Sequence, residues 1–181
     1  MSVDSNDSVH GLGQNQASDP AKSGDGLAGD GDAGQTRHEL LVIETGGRLL
    51  AVFTEDVNGI VAGKIPAALP RAPASVLGVI AFRGRMLTVI DPLPLLGQLS
   101  QTSAHPIAVA LSGDEQLALA ADSSRGAIEV FAADIQLSEK GSKPEIIYGA
   151  LLRGGEQISI LNVARLFGAT VPQHERRRRR F

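Results

Sequence analysis

From His38 onward the chain is a succession of short apolar runs: LLVI (40–43), RLLAVFT (48–54), VLGVIAF (76–82), RMLTVI (85–90), PIAVAL (106–111), QLALAA (116–121), AIEVF (127–131), IIYGALL (146–152) and QISIL (157–161). Some alternate apolar with polar and some are apolar throughout, and none has the length of a helix stripe. Glycine-bearing breaks separate several of them: Gly46-Gly47, Arg83-Gly84, Gly113-Asp114 and Gly154-Gly155. Runs of this length with tight turns between them are the pattern of antiparallel barrels or sandwiches. The pattern predicts a mainly β protein.

The chain also repeats itself. GVIAFRGRMLTVIDPLPLLG (78–97) aligns without a gap on GALLRGGEQISILNVARLFG (149–168), matching Gly78 with Gly149, Gly84 with Gly155, Leu95 with Leu166 and Gly97 with Gly168. In each copy a strand, a glycine turn and a returning strand end at a polar residue, Asp91 or Asn162, whose side chain suits a helix N-cap. Pro92 follows at the first helical position, where its missing N–H costs nothing. One or two helical turns are expected next, closed by Gly97 or Gly168 in the left-handed conformation. A weaker repeat relates 40–60 to 106–128. Each half then holds about five strands and a short helix, and at about 65 residues is marginal as an independent core. Two five-stranded barrels packed on a common apolar face are the expected architecture.

The charge is distributed unevenly along the 181 residues. Residues 1–36 carry six Asp and one Lys, net −5; 37–170 carry eleven basic and thirteen acidic groups, net −2; 171–181 carry five Arg and one Glu, net +4. The first segment, with seven Gly and nine apolar residues of which four are Ala, buries too little to offset its ordering entropy, so residues 1–37 are expected to be a disordered tail. Gly24, Gly26 and Gly29 in it fit G-x-G-x-x-G without the strand and helix that dinucleotide binding needs. Asp25, Asp30 and Asp32 fail the EF-hand spacing, since the closing position is Leu41. A structured domain is expected over 38–170, followed by an Arg-rich tail, 171–181. The absence of cysteine excludes disulfides and thiol chemistry. No apolar run exceeds five residues, so no membrane insertion is expected. The N-terminus lacks a signal-peptide pattern, which leaves the cytoplasm as the expected location.

The segment PRAPASVLGVIAFRGRMLTVIDPLPLLG (70–97) resembles the signature of the bacterial chemotaxis coupling protein family, CheW, with its GVINLRG turn and V-x-D ending. ELLVIETGGRLLAVFTEDVNGIV (39–61) is similar to that family's opening hairpin and short helical turn. LALAADSSRGAIEV (117–130) is similar to its VGLLVDEV segment, and YGALLRGGEQISILNVARLF (148–167) to its closing hairpin and helix. The resemblance implies two intertwined five-stranded SH3-like β-barrels with short helices, no catalysis and no cofactor. It implies an adaptor whose partners are the regulatory domain of a CheA-type histidine kinase and the cytoplasmic tip of a chemoreceptor. The family's interaction surface maps onto Val57, Gly78, Arg83 and Gly84. Arg83 in particular has a planar guanidinium suited to forking a carboxylate. The chain departs from the pattern at Ala81, where the family has Asn, at Pro92, and at Asp122-Ser123-Ser124. A divergent or accessory member is expected.

Two other function classes have residues to point to. Of the four histidines, His10 and His174 lie in the tails, while His38 and His105 stand singly at strand entrances. Asp91 and Asp122 read as turn residues before they read as paired carboxylates, so no enzyme and no metal site are expected. Arg176 to Arg180 offer an alternative, a β-barrel protein binding nucleic acid or an anionic membrane through its tail. No stacking aromatics accompany them beyond Phe181 and the body is acidic, so no nucleic-acid partner is expected.

Overall fold

The computed structural model describes residues 36–99, 105–139, 141 and 145–170. Of the expected tails, 1–37 and 171–181, residues 1–35 and 171–181 lie outside them, while Arg37 already belongs to a strand. The first half contributes β1 (Arg37–Thr45), β2 (Arg48–Phe53), a 3-10 turn (Thr54–Asp56), β3 (Val57–Ala62), β4 (Val76–Phe82), β5 (Arg85–Ile90) and α1 (Pro92–Leu95). The second contributes β6 (Ile107–Leu111), β7 (Leu117–Ala121), β8 (Ser123–Phe131), a 3-10 turn (Ala132–Asp134), β9 (Gln136–Leu137), β10 (Ile147–Arg153), β11 (Glu156–Leu161) and α2 (Val163–Thr170). The protein is mainly β, as the run pattern predicts.

The halves exchange strands. One sheet runs β8-β1-β2-β11-β10-β9 and the other β3-β6-β7-β5-β4. Each half therefore lends its first hairpin to the other's sheet, and the junctions β2–β11 and β5–β7 are the parallel pairs. The internal repeat survives in detail. Where β9 crosses Gly149 and Ala150 of β10, Ala67 bridges Val79 of β4 in the other copy. Only the former counts as a strand, which makes one sheet six-stranded where five are expected.

Neither hydrogen-bonded ladder closes on itself. Side chains span the gaps instead: Arg83 Nη1 and Lys64 Nζ donate to Asn58 and Ala81 carbonyls across one, and Arg153 Nη1 to the Glu129 carbonyl across the other. The two barrels are thus sheets curled onto themselves and finished by guanidinium and ammonium groups.

Strand alternation explains why so many runs are apolar throughout. Leu40 and Val42 of β1 and Leu49 and Ala51 of β2 point into one barrel, with Ile158, Ile160, Leu151 and Val130. Their neighbours Leu41, Ile43, Leu50 and Val52 point the other way, into a central core shared with Val109, Leu111, Leu117, Leu119, Leu161 and Leu166. The second barrel is lined by Ala108, Ala110, Ala118 and Ala120 against Ile80, Leu87 and Val89. Strands with both faces buried need no polar phase. The central core is the common apolar face expected from the sequence.

The helix ends follow the expectation in one copy. Asp91 accepts from the Leu93 N–H at 2.9 Å, Pro92 opens α1, and Gly97 closes it at φ 73° with the Gln98 N–H on the Leu93 carbonyl. In the other copy α2 runs on through Gly168 to Thr170, whose hydroxyl donates to the Phe167 carbonyl. Gly168 therefore does not terminate the helix. The short helical turn implied after the opening hairpin is the 3-10 turn, and VNGIVA beyond it forms the edge strand β3.

Candidate docking face

The β4–β5 hairpin has a two-residue loop, Arg83-Gly84, with Phe82 paired to Arg85. Both loop residues have positive φ, 48° and 76°, the geometry of the tight turn that matches sheet twist. The equivalent loop in the second copy is Gly154-Gly155, at φ 60° and 83°. Glycine takes that conformation freely, whereas an L side chain at the first position costs about 1 kcal/mol or more. Arg83 occupies that position where the related turn has glycine, which points to a use for its side chain.

That side chain folds back over the sheet. Its guanidinium lies 4.9 Å from the Phe82 ring centroid, and Nη1 donates to Asn58 Oδ1 at 3.0 Å and to the Asn58 carbonyl at 3.1 Å. β3 has a bulge between Val57 and Gly59, and a Cβ on Gly59 would stand 3.0 Å from Phe82 Cζ. The missing side chain lets the ring settle on β3. Val57, one residue before Asn58, is half-buried against the central core. Arg83, Gly84 and the Val57 strand are thus brought together. Beside them Asp56 has its carboxyl pushed above the ordinary range, by burial first and by Glu55 second.

Gly78 sits at the other end of β4. It is buried, at φ 145°, and a Cβ there would be 2.2 Å from the Ala67 carbonyl oxygen. Ala67 and Val79 exchange two backbone hydrogen bonds of 2.9 Å directly beside it. Gly149 makes the same accommodation for Gln136. Gly78 shapes the strand crossing, five residues before Arg83 of the turn.

The fold also joins residues that look unrelated in sequence. His105 lies between Asp122 (Nδ1 to Oδ1, 3.2 Å) and Asp91 (Nε2 to Oδ2, 4.0 Å), with its side chain and that of Asp91 almost wholly buried. No signal at a separation of 17 residues, as between His105 and Asp122, marks such a pair in advance. Among the described residues no group of His, Asp and Glu is arranged to hold a metal ion, and no helix is long and apolar enough to cross a membrane.

A family model for the CheW-like domain matches residues 39–171. The chain belongs to the CheW-like domain family. The fold agrees: the crystal structure of the scaffolding protein TtCheW from Thermoanaerobacter tengcongensis superposes with a TM-score of 0.65 at 19% identity, over 73% of this chain and 93% of that one. A search of curated proteins finds no match. Membership makes this a chemotaxis scaffold domain and carries the adaptor class expected from the resemblance.

Proposed function

We propose that this CheW-like chain is a non-catalytic adaptor that couples a chemoreceptor tip to a CheA-type histidine kinase, docking through Val57, Gly78, Arg83 and Gly84. Arg83 carries the reading. It is held in a strained backbone conformation at a turn whose repeat-related counterpart is Gly154-Gly155, and it lies over Phe82 beside the Val57 strand. Its place in the contact is to present a stacked guanidinium to a partner carboxylate. Val57 supplies the neighbouring apolar surface, and Gly84 and Gly78 give the turn and the strand crossing their shapes.

The test is calorimetric titration of the full chain against the regulatory domain of a CheA-type kinase from the same organism, and separately against the receptor tip. Binding at about micromolar Kd or tighter is expected, weakened at least about tenfold by Arg83→Gly and by Val57→Asp. A folded chain that binds neither partner refutes the adaptor reading. Binding that Arg83→Gly leaves unchanged refutes the face. The alternative through Arg176 to Arg180 rests on residues outside those described.

A further inference from the structure

The strongest unassigned feature is a chain of polar and apolar contacts at the seam between the sheets. Asp122, between β7 and β8, accepts the Gly46 N–H on Oδ2 at 2.7 Å and meets His105 Nδ1 with Oδ1 at 3.2 Å. The same ring turns Nε2 toward Asp91 Oδ2 at 4.0 Å, while Asp91 Oδ1 caps the Leu93 N–H of α1 at 2.9 Å. Leu93 in turn packs on the β1–β2 turn so tightly that a Cβ on Gly46 would stand 2.7 Å from its Cδ1. One imidazole thus links the turn of the first hairpin, from one sheet, to the helix that ends the β4–β5 hairpin of the other.

The geometry points to a proton-dependent clasp, with His105 as its moving charge. A neutral imidazole has one N–H and one lone pair. If the hydrogen is on Nδ1 it donates to Asp122, and Nε2 then turns a lone pair toward a carboxylate oxygen. The doubly protonated ring has an N–H at both nitrogens, between two carboxylates: the Asp122 contact becomes a charge-assisted hydrogen bond and the Asp91 contact at 4.0 Å an ion pair. The clasp tightens when the ring carries both protons and loosens when it gives one up. The charged groups on the elements that meet there are Asp91 after β5, Asp122 after β7, and Glu44 of β1, paired with Arg125 of β8; it is the Glu44 carbonyl that reaches the site, accepting the Asp122 N–H. Thr45 adds a hydroxyl on the Ala120 carbonyl. The intervening segment SQTSA (100–104) has no ionisable side chain.

Amide hydrogen exchange on the full chain, with each rate divided by its intrinsic rate at that pH, reads the clasp at Gly46 and Leu93. Protection at both is expected to be about fivefold greater near pH 5 than near pH 8. Its midpoint should match that of the His105 ring resonances, while Ala110 and Ala118 in the core stay level. In His105→Gln the pH dependence at Gly46 and Leu93 should vanish. Level protection in the wild type overturns the clasp, as does a midpoint unrelated to the ring or a pH dependence that persists in His105→Gln. Should that variant fail to fold, the coincidence of midpoints in the wild type decides alone.

Discussion

Gly78→Ala tests how much of the second barrel depends on one absent side chain. A Cβ would stand 2.2 Å from the Ala67 carbonyl oxygen, so β4 and the strap of chain that carries Ala67 must separate by roughly 1 Å to restore van der Waals contact. The Ala67–Val79 pair consists of two hydrogen bonds of 2.9 Å, and that displacement breaks both. At about 1 kcal/mol each they account for about 2 kcal/mol. Alanine held at φ 145° adds about 1 kcal/mol or more of backbone strain, for a total of about 3 kcal/mol. Gly84→Ala is the control. It has φ 76° and open space around the missing Cβ, so it carries the backbone penalty of about 1 kcal/mol alone. Equilibrium urea unfolding with an m-value of about 2 kcal/mol/M separates the two midpoints by about 1 M. Midpoints within about 0.3 M of each other would show that the strap yields freely and that the glycine is not needed for the crossing. A Gly78→Ala chain that keeps its stability but loses partner binding would transfer the residue from the frame of the docking face to its contact surface.

The remaining predictions separate core, turn and charge. Leu119→Ala, in a fully buried position of the central core, is expected to cost about 2–5 kcal/mol in the same urea assay; a loss below about 1 kcal/mol would mean the core closes around the gap. Arg83→Gly exchanges relief of strain for an exposed hydrogen-bonded stack, so its stability should stay within about 1 kcal/mol of wild type while partner affinity falls. Large destabilisation would make any loss of binding uninformative and the turn structural. Asp56 has a raised folded pKa, so its folded carboxyl favours the protonated form and its stabilising contribution is lost as pH rises through that value. Asp56→Asn should therefore unfold at higher urea than wild type near pH 7, with the gain shrinking toward about pH 4. A gain that grows on acidification contradicts the burial argument.

The central strands were the most legible elements because both their faces are buried. β1, β2, β6 and β7 read as unbroken apolar runs, since one face fills a barrel and the other the central core. β3 and β9 and the first residues of β8 were not legible for the converse reason. They are edge or half-exposed segments, with Asn58 and Gly59 in one, two residues in another, and Ser123-Ser124-Arg125 in the third. Such sequences carry turn propensity, and pairing to a neighbour overrides it.

The exchange of hairpins between halves had no local signal. The repeat shows that two units of the same kind exist and leaves open whose hairpin completes which sheet. The parallel junctions β2–β11 and β5–β7 decide it. They join segments whose own turns look self-sufficient, so only the energy of the shared core selects them. The candidate docking face has the same character. The contrast of Arg83-Gly84 with Gly154-Gly155 was visible, but the stack on Phe82 and the reach to Asn58 depend on the sheet curling until its ends meet. Asp91 and Asp122 each had a sufficient local role at a strand end, and His105 none. Their convergence follows from β5 and β7 running parallel and side by side, which ends both strands at one seam and leaves His105, two residues before β6, to lie between the two carboxylates. A duplicated sequence that exchanges its hairpins concentrates polar chain ends at that seam, where side chains must satisfy one another. Among the described residues no buried side-chain nitrogen or oxygen is left without a partner.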